Sequence, residues 1–205
     1  EDREGFSWCQ LETDGYVGYI PTAALSPEMV EPTHRVSALR TFVYSDPDFK
    51  SGVSAALFMG SDVAVSAVDP DGFSQIGERE WVFSAHLSAV SAGPETDPVA
   101  IAAQFLHTPY LWGGRSSLGL DCSALVQRAF AGCGRTLPRD SDLQESEPVD
   151  WLEDMAGAEW AQARRGDLLF WPGHVALVSA PQTLIHASVH AMAVVQEPLA
   201  EAVAR

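Results

Sequence analysis

The chain has 205 residues, of which 46% are hydrophobic and 20% charged, a composition typical of globular proteins and not of disordered or fibrous ones. Its 28 acidic residues outnumber its 12 basic ones, so the net charge at pH 7 is −16. Such a field repels phosphate backbones and anionic lipid, so we expect no nucleic-acid partner and no membrane partner. No apolar run approaches the roughly 20 residues that a membrane-spanning helix needs.

Short strand-like runs separated by turns fill the first 92 residues. Asp14-Gly15 and Asp71-Gly72 each stand between β-branched and aromatic runs. Such dipeptides are typical of hairpins, because glycine readily takes the positive φ that the turn needs. This half of the chain is therefore predicted to be all-β.

Two segments of this half resemble the closing strands of bacterial SH3-like domains: Gly18-Tyr19-Ile20-Pro21 matches well and Glu80-Trp81-Val82 loosely. We therefore expect residues 1–34 to be the C-terminal part of a first SH3-like barrel and residues 35–92 to be a second barrel. A partial barrel exposes a strand edge, so we expect the front strands of the first one to belong to a longer parent chain.

The periodicity changes beyond a linker at 91–96. Asp97-Pro98 is a helix start, because aspartate caps the first turn and proline suits the first helical position. The pattern predicts helices at 98–107 and 123–133. Four apolar runs then predict an antiparallel sheet; they are DLLFW (167–171), HVALVS (174–179), TLIHAS (183–188) and AVVQE (193–197). We therefore predict an α+β domain over residues 93–205.

Of the three cysteines, Cys122 has the most reactive position. It stands at the start of the second predicted helix, where unpaired N–H groups and the helix dipole favour a thiolate. We therefore expect its pKa to be lowered, which would make it a nucleophile. The competing interpretation is a small buried hydrophobic residue, which we retain for Cys9 and Cys133.

Three cysteines are too few for a disulfide framework and show no CxxC spacing. Free thiols favour a reducing compartment, so we expect a cytoplasmic location. A periplasmic or extracellular location stays open, because an exported protein can keep one reactive thiol and the sequence starts at Glu1 without a Met. We expect no cofactor.

His174 opens one predicted strand and His186 lies in the next. With a short turn between the strands, the two residues are expected to be cross-strand neighbours whose side chains touch. A second imidazole would then fix the tautomer of the first, as in a nucleophile, base and orienter triad. The alternative is a zinc site made by one thiolate, two imidazoles and a fourth ligand. We favour the triad and expect no metal, because no sequence-spaced fourth ligand stands nearby.

Six motifs together resemble the NlpC/P60 cysteine peptidases of peptidoglycan over about residues 95–198. They are Tyr110-Leu-Trp-Gly-Gly-Arg, Gly119-Leu-Asp-Cys-Ser-Ala-Leu-Val, Leu137-Pro-Arg-Asp-Ser, Arg165-Gly-Asp-Leu-Leu-Phe-Trp, Gly173-His-Val-Ala-Leu-Val and Ile185-His-Ala-Ser. The resemblance implies a papain-like fold with Cys122 as nucleophile, His174 as general base and His186 as the third polar residue. It also implies that Tyr110 lies beside the oxyanion site. The chain departs from the family pattern at Ala124, where the family has glycine.

SH3-like barrels beside such a domain resemble the γ-D-glutamyl-L-diamino acid endopeptidases that act on free cell-wall peptides. The implied substrate is L-Ala-γ-D-Glu-diamino acid, from which L-Ala-γ-D-Glu is released. The resemblance implies that Asp121, Ser123 and Asp140 hold the free L-Ala, and the barrel motif suggests that Tyr16 reaches the same pocket. Helix capping for the two aspartates, and packing within the barrel for the tyrosine, stay open as alternatives.

Two other functions remain open from the sequence. One is a non-catalytic peptidoglycan-binding module with a vestigial peptidase fold. The other is an exported hydrolase of the intact cell wall. We also expect the run Glu145, Glu147, Asp150, Glu153 and Asp154 to form a solvated acidic face.

Overall fold

The computed structural model of the protein describes residues 2–147 and 162–204. They form two compact units. The first contains Glu1–Met29, Glu95–Arg115 and Gly119–Arg205, and the second contains Val30–Pro94 and Ser116–Leu118. The N-terminal strands therefore group with the helical part of the chain, whereas the division at 1–34, 35–92 and 93–205 stays a prediction.

Seventeen strands and four α-helices are assigned in the described residues. The strands are β1 (Asp2–Arg3), β2 (Phe6–Gln10), β3 (Val17–Pro21), β4 (His34–Val36), β5 (Arg40–Tyr44), β6 (Val53–Phe58), β7 (Asp62–Val63), β8 (Ala67–Val68), β9 (Phe73–Gly77), β10 (Glu80–Phe83), β11 (Leu87–Ala89), β12 (Arg115–Ser116), β13 (Gly119–Leu120), β14 (Leu168–Trp171), β15 (His174–Ala180), β16 (Thr183–Ser188) and β17 (Ala193–Pro198). The helices are α1 (Pro98–Gln104), α2 (Cys122–Gly132), α3 (Ser141–Glu145) and α4 (Leu199–Val203).

The second unit is all-β, as predicted. Its strands form a five-stranded sheet in the order β6-β5-β10-β9-β8 and a three-stranded sheet in the order β11-β4-β7. Residues 34–44 are divided between the two sheets as β4 and β5, because the chain bends between Val36 and Arg40. Buried residues from both sheets, among them Val36, Val43 and Val82, make its core.

The first unit places α1 and α2 against a four-stranded antiparallel sheet in the order β14-β15-β16-β17. This α+β arrangement matches the predicted helices followed by a meander. The inward faces supply a continuous apolar core; its members include Val99, Ala102, Leu125, Val126, Phe130, Val175, Leu177, Ile185 and Val194. Removing these side chains from water is the main term that holds the helix carrying Cys122 on the sheet carrying both histidines.

The start of α1 agrees with its sequence signals, and its end does not. Asp97 caps the helix by accepting from the N–H of Val99, with Pro98 at the first position. The helix ends at Gln104 instead of His107, which has a φ of 68°. The His107 N–H bonds the Val194 carbonyl of β17, so the chain leaves the helix to reach the sheet.

The N-terminal strands form a three-stranded sheet in the order β1-β2-β3. Gly15 has a φ of 70° in the predicted Asp-Gly turn between β2 and β3. In the predicted acidic run Glu145 is exposed and Glu147 is half-buried, while Asp150, Glu153 and Asp154 lie outside the described residues. None of the described helices has both the length and the apolar character that crossing a membrane requires.

Gly114, in the loop that precedes Cys122, lies very close to the backbone of Gly119, and a substitution can test this contact. A Cβ on Gly114 would clash with the backbone carbonyl of Gly119, which cannot rotate away as a side chain would. We predict that Gly114→Ala lowers the free energy of unfolding by about 1–3 kcal/mol in urea denaturation. Gly18→Ala is the control, because no heavy atom lies within 4 Å of the position that its Cβ would take; it should leave stability unchanged or raise it by about 0.5 kcal/mol. Equal midpoints for the two variants would contradict the close contact.

Candidate active site

Cys122 is the first residue of α2 and directly follows the N-cap residue Asp121. The cysteine is buried, with 6% of its surface exposed. The backbone N–H of Val175 lies close enough to the sulfur to lower the pKa of the thiol. Because Val175 follows His174 in β15, this contact brings the sulfur to the start of the strand that carries the first histidine.

Two imidazoles and a carboxylate form a hydrogen-bonded chain across three neighbouring strands. Nε2 of His174 in β15 lies 2.6 Å from Nδ1 of His186 in β16. Nε2 of His186 lies 2.5 Å from Oε1 of Glu197 in β17. The side chains of His186 and Glu197 are only 5% and 13% exposed, so little water competes for these bonds. Glu197 was not predicted from the sequence, because it lies 11 residues from His186 and meets it only in the folded sheet.

The two histidines are in contact, but the predicted register between them is wrong. Leu177 lies opposite Ile185, and extending that register places Ser188, not His186, opposite His174. The two-residue hairpin loop and an irregularity near the end of β15 cause this offset. The contact is therefore diagonal, at a separation that two imidazoles can bridge.

The predicted lowering of the thiol pKa is also wrong. Burial raises the pKa of Cys122, and the negative charge of Asp121 adds to this effect, while the N–H groups of Val175 and Ser123 oppose it. Burial lowers the pKa of His174 to about 4, helped by His186 and His190 and opposed by Glu197. At pH 7 the resting pair is therefore a neutral thiol and a neutral imidazole, which suits general-base catalysis.

Tyr110 stands on the loop between α1 and β12, anchored by its N–H to the carbonyl of Met192. Burial raises the pKa of its hydroxyl, and the negative charge of Asp121, together with that of Cys122 once its thiol is ionised, raises it further, while Arg139 opposes them. The hydroxyl stays protonated at neutral pH and is available as a hydrogen-bond donor.

Asp121 is held in a buried polar network. Its carboxylate accepts two hydrogen bonds from Arg139, one from Nη1 at 2.9 Å and one from Nη2 at 2.7 Å. It also accepts from the N–H of Ala124 at 2.9 Å, which is the capping bond considered in the sequence analysis, and from the N–H of Gly113 at 2.8 Å. Burial alone would raise the pKa of Asp121, but Arg139 and the backbone donors outweigh it and lower the pKa.

Ser123 belongs to the same network, since its Oγ accepts from Arg139 at 2.9 Å and lies 3.2 Å from an oxygen of Asp121. Ser123 is 5% exposed. The structure thus places Asp121 and Ser123 on either side of Cys122 with their side chains bonded mainly to Arg139. Arg139 itself stands in the Leu137-Pro-Arg-Asp-Ser motif, but the sequence analysis gave it no role.

A cavity of about 240 Å³ lies beside this network. Its lining residues are Tyr16, Trp112, Gly113, Arg115, Asp121, Arg139 and Asp140. Asp140 is the N-cap residue of α3 without a side-chain capping bond, and within the two described stretches its carboxylate makes no hydrogen bond or ion pair. The predicted residues Tyr16, Asp121 and Asp140 therefore meet in one cavity, and Ser123 lies behind its wall.

Asp14 positions the tyrosine of this cavity. Its Oδ1 accepts from the N–H of Tyr16 at 3.1 Å, which closes the turn before β3. Its Oδ2 accepts from Nη2 of Arg115 at 2.7 Å and from Nε2 of Gln127 in α2 at 2.9 Å. The Asp14 side chain is 2% exposed. These bonds fix the turn that carries Tyr16 against the helix that carries Cys122.

The zinc alternative has no ligand set among residues 2–147 and 162–204. No group of three or more His, Cys, Asp or Glu side chains in these ranges is arranged to hold a metal ion. The two histidines instead bond each other, which occupies ring nitrogens that a metal would need.

The Arg139–Asp121 pair generates a stability prediction. Arg139→Met leaves a buried carboxylate without its cation, so we expect a loss of about 3–5 kcal/mol in unfolding free energy at pH 7. Because the pKa of Asp121 is lowered in the folded state, its stabilising effect is present above the unfolded pKa of about 3.9 and is lost as the pH falls through the folded value. The unfolding free energy of the variant should therefore fall less between pH 7 and pH 2.5 than that of the wild type, because the variant lacks this pair at every pH.

The measurement is urea denaturation of both proteins between pH 2.5 and 7, with Arg164→Met as the control. Arg164 is exposed, and its removal should change the unfolding free energy by less than about 0.5 kcal/mol. A similar small effect for Arg139→Met would show that the buried pair does not hold the site.

Two family profiles match the chain. The profile described as the NlpC/P60 family matches residues 107–204, which contain Cys122, His174 and His186. The profile described as the bacterial dipeptidyl-peptidase Sh3 domain matches residues 1–25, which contain Asp14 and Tyr16. The chain is 39% identical over 90 residues to dipeptidyl-peptidase 6 of Lysinibacillus sphaericus, covering 44% of this chain and 31% of that protein.

A second relative is the gamma-D-glutamyl-L-lysine dipeptidyl-peptidase of Bacillus cereus, 24% identical over 196 residues, covering 84% of this chain and 56% of that protein. The chain thus spans about a third of the length of the first relative and little more than half of the second. The solved structure of an NlpC/P60 family protein from Bacillus cereus shares the fold, with a TM-score of 0.79 at 21% identity over 97% of this chain and 72% of that one. Together with the geometry around Cys122, these matches show that residues 107–204 belong to the NlpC/P60 family of cysteine peptidases and that residues 1–25 belong to a bacterial dipeptidyl-peptidase SH3 domain.

Proposed function

We propose that the protein cleaves the bond between γ-D-Glu and the diamino acid in cell-wall peptides that begin with a free L-Ala, and releases L-Ala-γ-D-Glu for recycling. The observation that carries the proposal has three parts: a buried thiol that interacts with the N–H of Val175, the residue after His174; the bond between His174 and His186; and a small cavity lined by Asp121 and Asp140. The name of one relative, a gamma-D-glutamyl-L-lysine dipeptidyl-peptidase, supports this bond, and the name of another, dipeptidyl-peptidase 6, supports the release of a dipeptide.

Nδ1 of His174 is the base in this reaction, because its Nε2 is bonded to His186. It takes the thiol proton as the sulfur of Cys122 attacks the γ-carbonyl carbon of D-Glu. Backbone N–H groups near the start of α2 and the hydroxyl of Tyr110 stabilise the oxyanion. The imidazolium of His174 then protonates the departing amine of the diamino acid, which leaves a thioester on Cys122.

Water completes the cycle. His174 removes a proton from a water molecule as it attacks the thioester carbonyl, and the thiolate of Cys122 leaves and recovers that proton. The free dipeptide carries a carboxylate where the amide bond had been. Two neutral groups at rest suit this sequence, since charge is created only in the transition state that the site stabilises.

The cavity explains the preference for a free terminus. At about 240 Å³ it is smaller than typical ligand pockets, which start near about 300 Å³, so it suits one small residue. The ammonium of L-Ala would pair with Asp140, while Tyr16 and Trp112 cover the methyl group. Alanine in the intact wall is amide-bonded and carries no ammonium, so Asp140 would have no cationic partner.

Loss of the thiol tests the chemistry. Cys122→Ala should reduce cleavage of L-Ala-γ-D-Glu-L-Lys by at least about 10³-fold with an unchanged fold, because the nucleophile is gone. The assay is mass spectrometry of released L-Ala-γ-D-Glu, with Cys133→Ala at the far end of α2 as the active control. If Cys122→Ala retains turnover, the mechanism is wrong. If the wild-type protein binds insoluble cell wall but releases no product, the result supports a binding module instead.

Replacing the carboxylate of Asp140 tests the preference for a free N-terminus. Asp140→Asn should lower kcat/KM for the free tripeptide by about 10- to 100-fold, the value of a charged hydrogen bond, and should change cleavage of the N-acetylated peptide much less. Asp142→Asn, at an exposed position two residues further on, is the matched control. If Asp140→Asn keeps the wild-type ratio between free and acetylated peptide, the ammonium is bound elsewhere. Efficient wild-type cleavage of cross-linked wall would favour the exported hydrolase.

A further inference from the structure

Glu197 lies at the end of the hydrogen-bonded chain, in β17, which is two strands from β15 in the sheet. In the β16–β17 ladder Val195 is opposite His186, so Glu197 is the diagonal neighbour of the histidine on the same face of the sheet. Its Oε1 is 2.5 Å from Nε2 of His186, and its side chain is 13% exposed. The carboxylate therefore acts on His186 at short range and with little competition from water.

A carboxylate can only accept hydrogen bonds, which sets the direction of the whole chain. Nε2 of His186 must carry the proton that is donated to Glu197. In the neutral ring Nδ1 of His186 is then an acceptor, so the proton in the 2.6 Å bond belongs to Nε2 of His174. Nδ1 of His174 is left with a free lone pair, which is the form that can take a proton from the thiol.

We propose that Glu197 is a positioning residue that fixes the tautomers of His186 and His174 and so keeps Nδ1 of His174 ready as the base. The proposal rests on the peptidase function proposed above for the role of that base, but the tautomers themselves do not depend on any substrate. Glu197 does not touch the reacting atoms and acts through the two rings.

An amide at this position removes the constraint while keeping the shape. The side chain of Glu197→Gln can accept from His186, or it can donate to Nε2 of that ring. Donation moves the His186 proton to Nδ1, reverses the bond to His174 and places the His174 proton on Nδ1. That tautomer cannot accept the thiol proton, so the variant contains an inactive fraction. It also lacks the negative charge that stabilises the His174 imidazolium in the transition state.

The charged or titratable groups that act on His174 come from three places: His186 from β16, Glu197 from β17 and His190 from the turn that follows β16. Of these, Glu197 raises the pKa of His174, whereas the two other histidines lower it. A base works when it is unprotonated, so activity falls as the pH drops through its pKa. Removing Glu197 lowers that pKa and should move the acid limb of kcat/KM to lower pH.

The kinetic test compares Glu197→Gln with Glu201→Gln, which removes the same charge at an exposed position in α4. We expect kcat for L-Ala-γ-D-Glu-L-Lys to fall by about 10- to 100-fold in Glu197→Gln with KM within twofold, and the acid limb to move down. A merely structural role would lower the melting temperature without moving the acid limb. Glu197→Gln with the kcat and pH profile of the control would overturn the proposal.

The spectroscopic test needs neither a variant nor turnover. Long-range ¹H–¹⁵N correlation spectra of the wild-type histidine rings should show His174 and His186 both protonated at Nε2. Protonation of His186 at Nδ1 would overturn the proposal even if the peptide is cleaved. If the spectra show the predicted tautomers but the wild type does not cleave the peptide, the role of Glu197 is supported and the proposed substrate is wrong.

Discussion

The buried ion pair between Arg139 and Asp121 is the interaction on which the site depends. Arginine reaches it from the loop before α3, and its fork matches the carboxylate at the start of α2. The same guanidinium contacts Ser123 and the carbonyl of Gly114. The residues on both sides of Cys122 and the glycine loop before it are therefore joined to one cation. Apolar packing holds the helix on the sheet, and this polar network holds the residues on both sides of the sulfur.

Keeping the thiol of Cys122 neutral protects it from unwanted reactions, but it also makes its reactivity depend on His174. A buried protonated thiol is a poor nucleophile toward oxidants and adventitious electrophiles, because the thiolate is the reactive form. Reactivity then depends on a histidine that is held in one protonation pattern and on a substrate that displaces water from the site. The strand-borne chain of two imidazoles and a carboxylate supplies that pattern through groups that lie away from the substrate.

Local signals in the sequence predicted much of the fold. Asp97-Pro98 marked the start of α1, and the apolar runs of the last third marked the four strands, because these features depend on neighbouring residues. Partners distant in sequence could not be read in this way. Glu197 is 11 residues from His186, and Arg139 is 18 from Asp121, so their contacts exist only once the sheet and loops have formed. The pKa of Cys122 was mispredicted for the same reason, since burial is a property of the fold.

Asp14 joins parts of the chain that the family profiles separate. It lies in the segment matched by the SH3 profile, yet its carboxylate bonds Arg115 and Gln127 in the segment matched by the NlpC/P60 profile. One wall of the cavity is thus contributed by a module that carries none of the nucleophilic machinery. Exchanging N-terminal modules among such enzymes would then change which peptides are admitted while leaving the bond-breaking apparatus intact, so that new selectivity could arise by recombination of domains before any point mutation near the sulfur.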